Sequence, residues 1–266
     1  MLPGMSLPEW KLPPGVPRGV WDYAQSVAVA QDYDDYHALN PLFEFEEAVL
    51  REEFSRPGTV ADLGCGTGRA LLPLVREGHR GLAIDLSQNM LDVVREKAEL
   101  ERLPVECLQA NLTELDAVAD QSVDYAMCLF STLGMIRQRK MRRRALAHMR
   151  RVLRPGGRLV LHVHNFWFNL WDPGGPWWVA RSLAAAASPR ARGGDWDLGD
   201  KYFPYRGVPN FYLHVFRERE LRADLRTAEL AVRRWIPLEV RRRHALPHPW
   251  FARALRANGW IVVVER

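Results

Sequence analysis

Short apolar runs alternate along most of this chain with stretches whose apolar residues recur at helical spacing. Residues 60–63 run straight into glycines at 64, 66 and 68, and residues 70–75 then carry a helical pattern. Apolar runs of about four to eight residues bounded by turn signals predict buried strands. Runs at 81–85, 105–109, 123–130 and 159–163 fit the same description, the last after a Leu-Arg-Pro-Gly-Gly turn at 153–157. The segment opening with Leu86-Ser87-Gln88-Asn89-Met90 supplies one of the helices between them. Five strands alternating with four helical segments predict a parallel sheet wrapped by helices.

The flanks read differently. The first seventeen residues hold Pro3, Pro8, Pro13, Pro14 and Pro17, which suits an extended arm. A helix is predicted over 42–54. Residues 166–210 sustain neither period, apart from a short helix over 178–187, and contain Trp167, Trp171, Trp177, Trp178 and Trp196. Beyond them come a helix opening at 215–221, a sixth strand at 230–236, a helix at 250–257 and a seventh strand at 259–264. The predicted division is an N-terminal arm and cap (1–40), a central sheet unit (41–165), an aromatic-rich insertion (166–211) and a C-terminal completion of the sheet (212–266).

Candidate chemistry concentrates at the first two strand ends. Glycines at alternate positions allow positive φ and close approach of a ligand to the main chain, and the following helix start favours an anionic group. The G-x-G-x-G spacing differs from the dinucleotide fingerprint G-x-G-x-x-G. Asp85, ending the second strand, can accept hydrogen bonds from the two hydroxyls of a ribose. Asp62 and Asp85 also have a plainer reading as helix caps, Met90 as helix core, and Cys65 and Cys128 as small buried hydrophobes.

The order DLGCGTGR, AIDLSQNML, Asn111-Leu112, VDYAMCLF and MRRVLRPGGRLVL resembles the class I S-adenosylmethionine-dependent methyltransferases, over roughly residues 59–165. The resemblance implies a Rossmann-like seven-stranded α/β sheet, mostly parallel with an antiparallel last strand and helices on both faces. It also implies S-adenosyl-L-methionine as cofactor. Carried over residue by residue, it puts Asp62, Gly64, Cys65, Gly66 and Gly68 at the methionine end, and Asp85 with Leu86 at the ribose. Met90, Asn111 and Leu112 fall to the adenine, and Leu129 and Phe130 flank the sulfonium. Many members have Asp where this chain has Asn111; an amide oxygen still accepts from the same N–H donors. Members often fold an N-terminal segment over the cofactor, which makes Tyr33 and Tyr36 candidate aromatics near the methyl. They also build the acceptor pocket after the fifth strand, which makes 166–211 a candidate lid with pivots at Gly174-Gly175 and Gly193-Gly194.

Methyl transfer needs a base only if the acceptor must lose a proton. His162 and His164 share one face of the fifth strand by period two, and His164, nearer its open end, is the candidate base. A packed structural histidine is the alternative reading.

Composition narrows the partners. At 266 residues and 47% hydrophobic content the chain has the make-up of a soluble globular protein. Three cysteines without C-x-x-C spacing suggest neither a disulfide framework nor a metal site. The absence of a signal-peptide pattern or a long apolar run predicts a cytoplasmic setting. The formal charge of +5 comes from a basic set that is almost all arginine, with lysine only at 11, 97, 140 and 201. Residues 137–154 hold nine basic side chains and no acid, which must repel one another unless an anion or an acidic face lies nearby. The favoured expectation is a small-molecule methyltransferase. An RNA (tRNA) methyltransferase using helix 137–154, and a non-catalytic cofactor-binding regulator, are the alternatives.

Overall fold

A computed structural model of the protein describes residues 7–187 and 196–266. Pro3 of the arm and Gly193-Gly194 of the insertion lie outside the described residues.

Four helices come first: α1 (Arg18–Gln25), α2 (Val27–Gln31), α3 (Tyr33–His37) and α4 (Leu42–Glu53). The central unit follows as β1 (Thr59–Leu63), α5 (Leu71–Arg76), β2 (Arg80–Asp85), α6 (Gln88–Glu101), β3 (Val105–Gln109) and β4 (Val123–Cys128). Next come α7 (Arg139–Val152), β5 (Leu153–His164), α8 (Gly175–Ala187), β6 (Asp200–Tyr205) and β7 (Val208–His214). The chain ends with α9 (Glu218–Thr227), β8 (Ala231–Pro237), α10 (Arg253–Arg256) and β9 (Gly259–Glu265).

Seven strands form one sheet in the order β3-β2-β1-β4-β5-β9-β8. All neighbours from β3 to β5 pair in parallel, and β9 runs antiparallel to both β5 and β8. The strands are apolar runs because both faces are covered. On one face Leu133, Leu146, Met149, Phe216, Leu221 and Leu225 pack on Leu63, Leu161 and Trp260. On the other, Leu50, Phe54, Leu71 and Leu91 pack on Val60, Met127 and Val263. The order reverses direction between β1 and β4, and in such sheets ligands bind outside the carboxyl ends of the strands at that point.

Three expectations need correction. The extended arm, described from residue 7, is interrupted by one 3-10 turn at Glu9–Lys11, and Pro17 then precedes α1 as its N-cap, where a missing N–H costs nothing. The helix expected over 250–257 is reduced to α10, because Trp250 and Phe251 are exposed and supply no buried face. The insertion contains β6 and β7, a hairpin separate from the main sheet. Tyr205 pairs with Val208 across Arg206-Gly207, whose φ values of 46° and 81° are those of a type I′ turn.

The basic helix α7 faces acids from distant parts of the chain. Arg142 is fully buried and reaches Asp197 (3.1 Å) and Glu220 (3.3 Å). Arg139 and Arg143 share Asp224, Arg150 meets Glu229, and Arg151 and Arg154 meet Asp120 and Asp124. The repulsion expected from sequence is relieved within the protein. Among the described residues no helix is long and apolar enough to cross a membrane.

Candidate active site

A cavity of about 340 Å³ opens at the carboxyl ends of β1, β2, β4 and β5. Its floor begins with the glycine loop. Gly64 has φ 89°, and a Cβ there would stand 2.3 Å from Thr132 Cγ2, so only glycine fits. The Gly64 and Cys65 amides donate to Ile84 O at 2.7 and 3.0 Å, which pins the loop to the end of β2. The Gly66 amide donates to Asp85 Oδ2 at 2.9 Å. Two motifs far apart in sequence are thus joined by one hydrogen bond.

Asp85 also accepts from Ser87 N at 2.8 Å. Burial raises its pKa, against the backbone hydrogen bonds from Ser87, Gly66 and Leu86. Asp62 sits deeper. Burial pushes its carboxyl up to about 7; Arg69 works to lower it, while Asp85 and Glu46 add to the rise. Arg69 is tied to Glu46 at 2.7 Å and lies over the Phe43 ring.

Thirteen of the residues singled out from sequence line this one cavity: Tyr33, Asp62, Gly64, Cys65, Gly66, Asp85, Leu86, Met90, Asn111, Leu112, Leu129, Phe130 and His164. Gly68 does not. A Cβ on it would meet Leu72 and Val94 at 3.2 Å, so its place is in loop-to-helix packing. Met90 satisfies both its readings, packing on Val29, Ala30, Tyr23 and Tyr33 while lining the cavity. The Asn111 amide donates to Pro14 O at 2.9 Å, and its oxygen accepts from Thr113 N at 3.2 Å. It fastens the N-terminal arm over the cavity, a contact no local pattern announces.

Tyr33 Cε1 lies 3.7 Å from the position of a Cβ on Gly66. Burial raises the Tyr33 and Tyr23 pKa values well beyond that of a free phenol, so both keep their protons and neither serves as a base. Tyr36, in contrast, is exposed beneath the Arg206 guanidinium, 4.3 Å from its ring centroid. His164 is held well below the usual imidazole range by burial, and next by neighbouring His162. It is a neutral ring able to accept a proton or a hydrogen bond. Behind it His162 is fully buried, with Nδ1 3.1 Å from Glu46 Oε1.

The end of β4 is strained. Phe130 and Ser131 have φ values of 51° and 63°, a conformation that costs non-glycine residues about 1 kcal/mol or more each. Ser131 Oγ accepts from His164 N at 3.3 Å, and Ser131 N donates to His162 O. The strain is therefore locked to the strand that carries His164.

The tryptophans of the insertion do not build the cavity. Trp171 and Trp177 are 68% and 70% exposed, and Trp178 packs on Phe166. Phe203, Tyr205, Phe211 and Leu213 of the β6–β7 hairpin line it instead, together with Val16, Val20 and Tyr23 of the N-terminal segment, which packs on the hairpin. The apolar runs on either side of Arg206-Gly207 were a legible hairpin signal, masked by Pro204 and Pro209. Among the described residues no group of three or more His, Cys, Asp or Glu could hold a metal ion, and Cys65, Cys107 and Cys128 are free thiols.

Comparison with known proteins agrees with this geometry. Residues 60–157 match the family model described as a methyltransferase domain. The chain is 33% identical over 139 residues to a demethylmenaquinone methyltransferase of Bacillus cereus (strain ATCC 10987 / NRS 248), covering 48% of this chain and 56% of that one. The chain spans about half the length of the curated relatives it matches. Among solved structures, the CcbJ methyltransferase from Streptomyces caelestis superposes with a TM-score of 0.65 at 18% identity, covering 91% of this chain and 98% of that one. The Burkholderia thailandensis 1,6-didemethyltoxoflavin-N1-methyltransferase, with bound 1,6-didemethyltoxoflavin and S-adenosylhomocysteine, gives 0.59 at 18% identity over 90% and 84%. The match over residues 60–157 is to a methyltransferase domain, and the superpositions show that the whole chain shares the fold of these methyltransferases.

Proposed function

We propose that the protein transfers a methyl group from S-adenosylmethionine to a small-molecule acceptor. The observation that carries this reading is the pairing of Asp62 and Asp85 beside the glycine loop, in the same cavity as a wall of aromatic rings. The donor set fits the cofactor. Asp85 has acceptor capacity left for a ribose hydroxyl, since a carboxylate offers about four lone-pair sites and three take backbone donors. Asp62, with a pKa near 7, is suited to an ammonium group that would hold it ionised. Leu86, Met90 and Leu112 offer apolar surface to a flat base.

The cofactor supplies an electrophilic methyl on a sulfonium and its own leaving group. The chain's part is to align and exclude. Gly66 and Asp85 fix one end of the cavity, while Asn111 and Thr113 hold Pro14 so that the arm covers it. Such positioning corresponds to effective molarities of ~10⁵–10⁸ M when geometry is near attack. His164, kept neutral by burial, can accept a hydrogen bond from the acceptor and so orient it. In this reading segment 1–40 is the cap, 41–165 the cofactor unit, 212–266 the completion of the sheet, and the acceptor side of 166–211 is its hairpin. The small molecules in the names of the B. cereus and Burkholderia methyltransferases, demethylmenaquinone and 1,6-didemethyltoxoflavin, support a small-molecule acceptor. The test is incubation with S-adenosylmethionine labelled in the methyl group and a fractionated small-molecule extract. Label should appear in a low-molecular-weight fraction; label appearing in RNA alone would support the other reading.

A further inference from the structure

The cavity has two chemically different parts. The charged side chains that line it, Asp62, Arg69 and Asp85, all belong to β1, the glycine loop and β2. Another part of the lining is a wall of four rings, which meets Met90 through Tyr23. Tyr23 stands edge-on to Phe211 at 5.3 Å and lies 5.8 Å from Tyr205; Phe211 is 5.0 Å from Tyr205 and 5.7 Å from Phe203. Rings in contact at these spacings fill each other's gaps and leave a continuous surface of faces and edges, which a flat ring complements in offset or edge-to-face contact.

The wall offers hydrogen bonds but no charge. Burial raises Tyr205 to about 12 and Tyr23 beyond the ordinary range, so both hydroxyls stay neutral. Among the described residues no carboxylate lines this part. Two cations stand nearby, Arg206 over Tyr36 and Lys201 5.9 Å from the Phe203 ring centroid, and they are already paired with Asp32 and Asp172. A charged group brought here would lose water and meet only partners already engaged, which is unfavourable. His164, neutral and lining the same cavity, adds a ring to which an acceptor's O–H or N–H can donate.

We propose that the acceptor is an uncharged, planar aromatic molecule bearing a hydroxyl or ring N–H. Its ring lies on the Tyr23–Phe203–Tyr205–Phe211 wall and its nucleophilic atom faces His164. This assignment rests on the methyl-transfer reading above. In the reaction the acceptor's lone pair forms the new bond to the methyl carbon as the carbon–sulfur bond breaks, its electron pair staying on sulfur. The acceptor's proton leaves to water, the neutral His164 ring accepting its hydrogen bond as the new bond forms. A small apolar wall of this kind sets specificity, because removing one ring face removes the contact that distinguishes a flat molecule from a flexible one.

The test uses 7-hydroxycoumarin and 7-hydroxycoumarin-3-carboxylate as probes, titrated by fluorescence at pH 6.5 against protein saturated with S-adenosylhomocysteine. The neutral probe should bind at least about ten-fold more tightly than its carboxylate counterpart. Phe203→Ala should weaken the neutral probe by about ten-fold or more, with S-adenosylhomocysteine affinity unchanged within about two-fold by calorimetry. Phe211→Leu, which keeps the buried apolar body, should act in the same direction, and retained S-adenosylhomocysteine binding certifies that either variant is folded. Equal or tighter binding of the carboxylate, no binding of the neutral probe, or no effect of both substitutions would overturn the assignment. Failure of S-adenosylhomocysteine to bind the unaltered protein would instead overturn the methyl-transfer reading.

Discussion

His214 Nε2 lies 2.9 Å from Glu220 Oε1, and neither side chain has more than 3% exposure. The other ring nitrogen of His214 lies 2.8 Å from Asp200 Oδ1, which also accepts from the Tyr212 hydroxyl. Arg142 completes the set from α7. This buried network fastens the β6–β7 hairpin to α7 and α9, and so holds the aromatic wall of the cavity in place.

Breaking that network should unfold the protein more readily. His214→Ala leaves two buried carboxylates short of a partner, and removal of one member of a buried pair costs about 3–5 kcal/mol. Urea denaturation at pH 7 checks this; a loss below about 1 kcal/mol would mean that the network is not structural. Burial works to raise the Glu220 carboxyl, but hydrogen bonding to His214 and the charges of His214 and Arg142 win, holding it at about 2. A lowered folded-state pKa contributes stability above the unfolded value near 4.5, lost as pH falls through about 2. Glu220→Gln should therefore flatten the stability profile over that window.

Asp62 should behave in the opposite sense. Its folded pKa of about 7 lies above the unfolded 3.8, so its contribution to stability is full below pH 3.8 and disappears as pH rises through 7. Ligand binding should run the other way. An ammonium-bearing ligand needs the ionised carboxylate, so S-adenosylhomocysteine affinity should rise as pH climbs through about 7. Calorimetric titrations from pH 5.5 to 8.5 measure this, and Asp62→Asn should remove the dependence.

The arginine-rich helix should divide into buried and solvated halves. Arg142→Ala should cost about 3–5 kcal/mol by leaving Glu220 and Asp197 without it, whereas exposed Arg144→Ala should stay within about 0.5 kcal/mol. Bulk tRNA, followed by fluorescence anisotropy at physiological salt, should show only weak association. Submicromolar binding with a steep salt slope, lost in a Lys140→Ala, Arg144→Ala double variant, would promote an RNA substrate.

Exposed tryptophans of the insertion should be dispensable for chemistry. Trp177→Ala should leave both S-adenosylhomocysteine affinity and methyl transfer within about two-fold, since its ring is largely in solvent. Activity assays on the double variant Trp171→Ala, Trp177→Ala check the point, allowing for the lost Trp171 Nε1 to Leu255 O hydrogen bond. Loss of transfer with intact cofactor binding would return the acceptor role to these residues.

The sheet was legible because its strands obey a local rule: Val60, Ile84, Met127 and Leu161 are buried on both faces, so each strand reads as an apolar run. The glycine-loop side of the cavity was legible because Gly64 and Asp85 answer to conformation and charge at single positions. The aromatic wall was not, because it is assembled from Tyr23 and Phe211, nearly two hundred residues apart and joined only by folding. Aromatic content pointed to the tryptophans, but burial in the finished fold chose the hairpin's Phe203 and Tyr205. The acids that neutralise α7 escaped for the same reason: Asp224 and Glu220 are distant in sequence from Arg143 and Arg142.

Asp85, the carboxylate at the end of β2, is the group proposed to hold S-adenosylmethionine in this cavity. Isothermal titration of S-adenosylhomocysteine into the unaltered protein and into Asp85→Ala tests it most directly, with circular dichroism confirming the fold. Hydrogen bonds to a charged acceptor contribute about 1.5–3 kcal/mol, so affinity should fall roughly ten- to a thousand-fold. Equal affinity in the two proteins, or no binding to the unaltered one, would contradict the account.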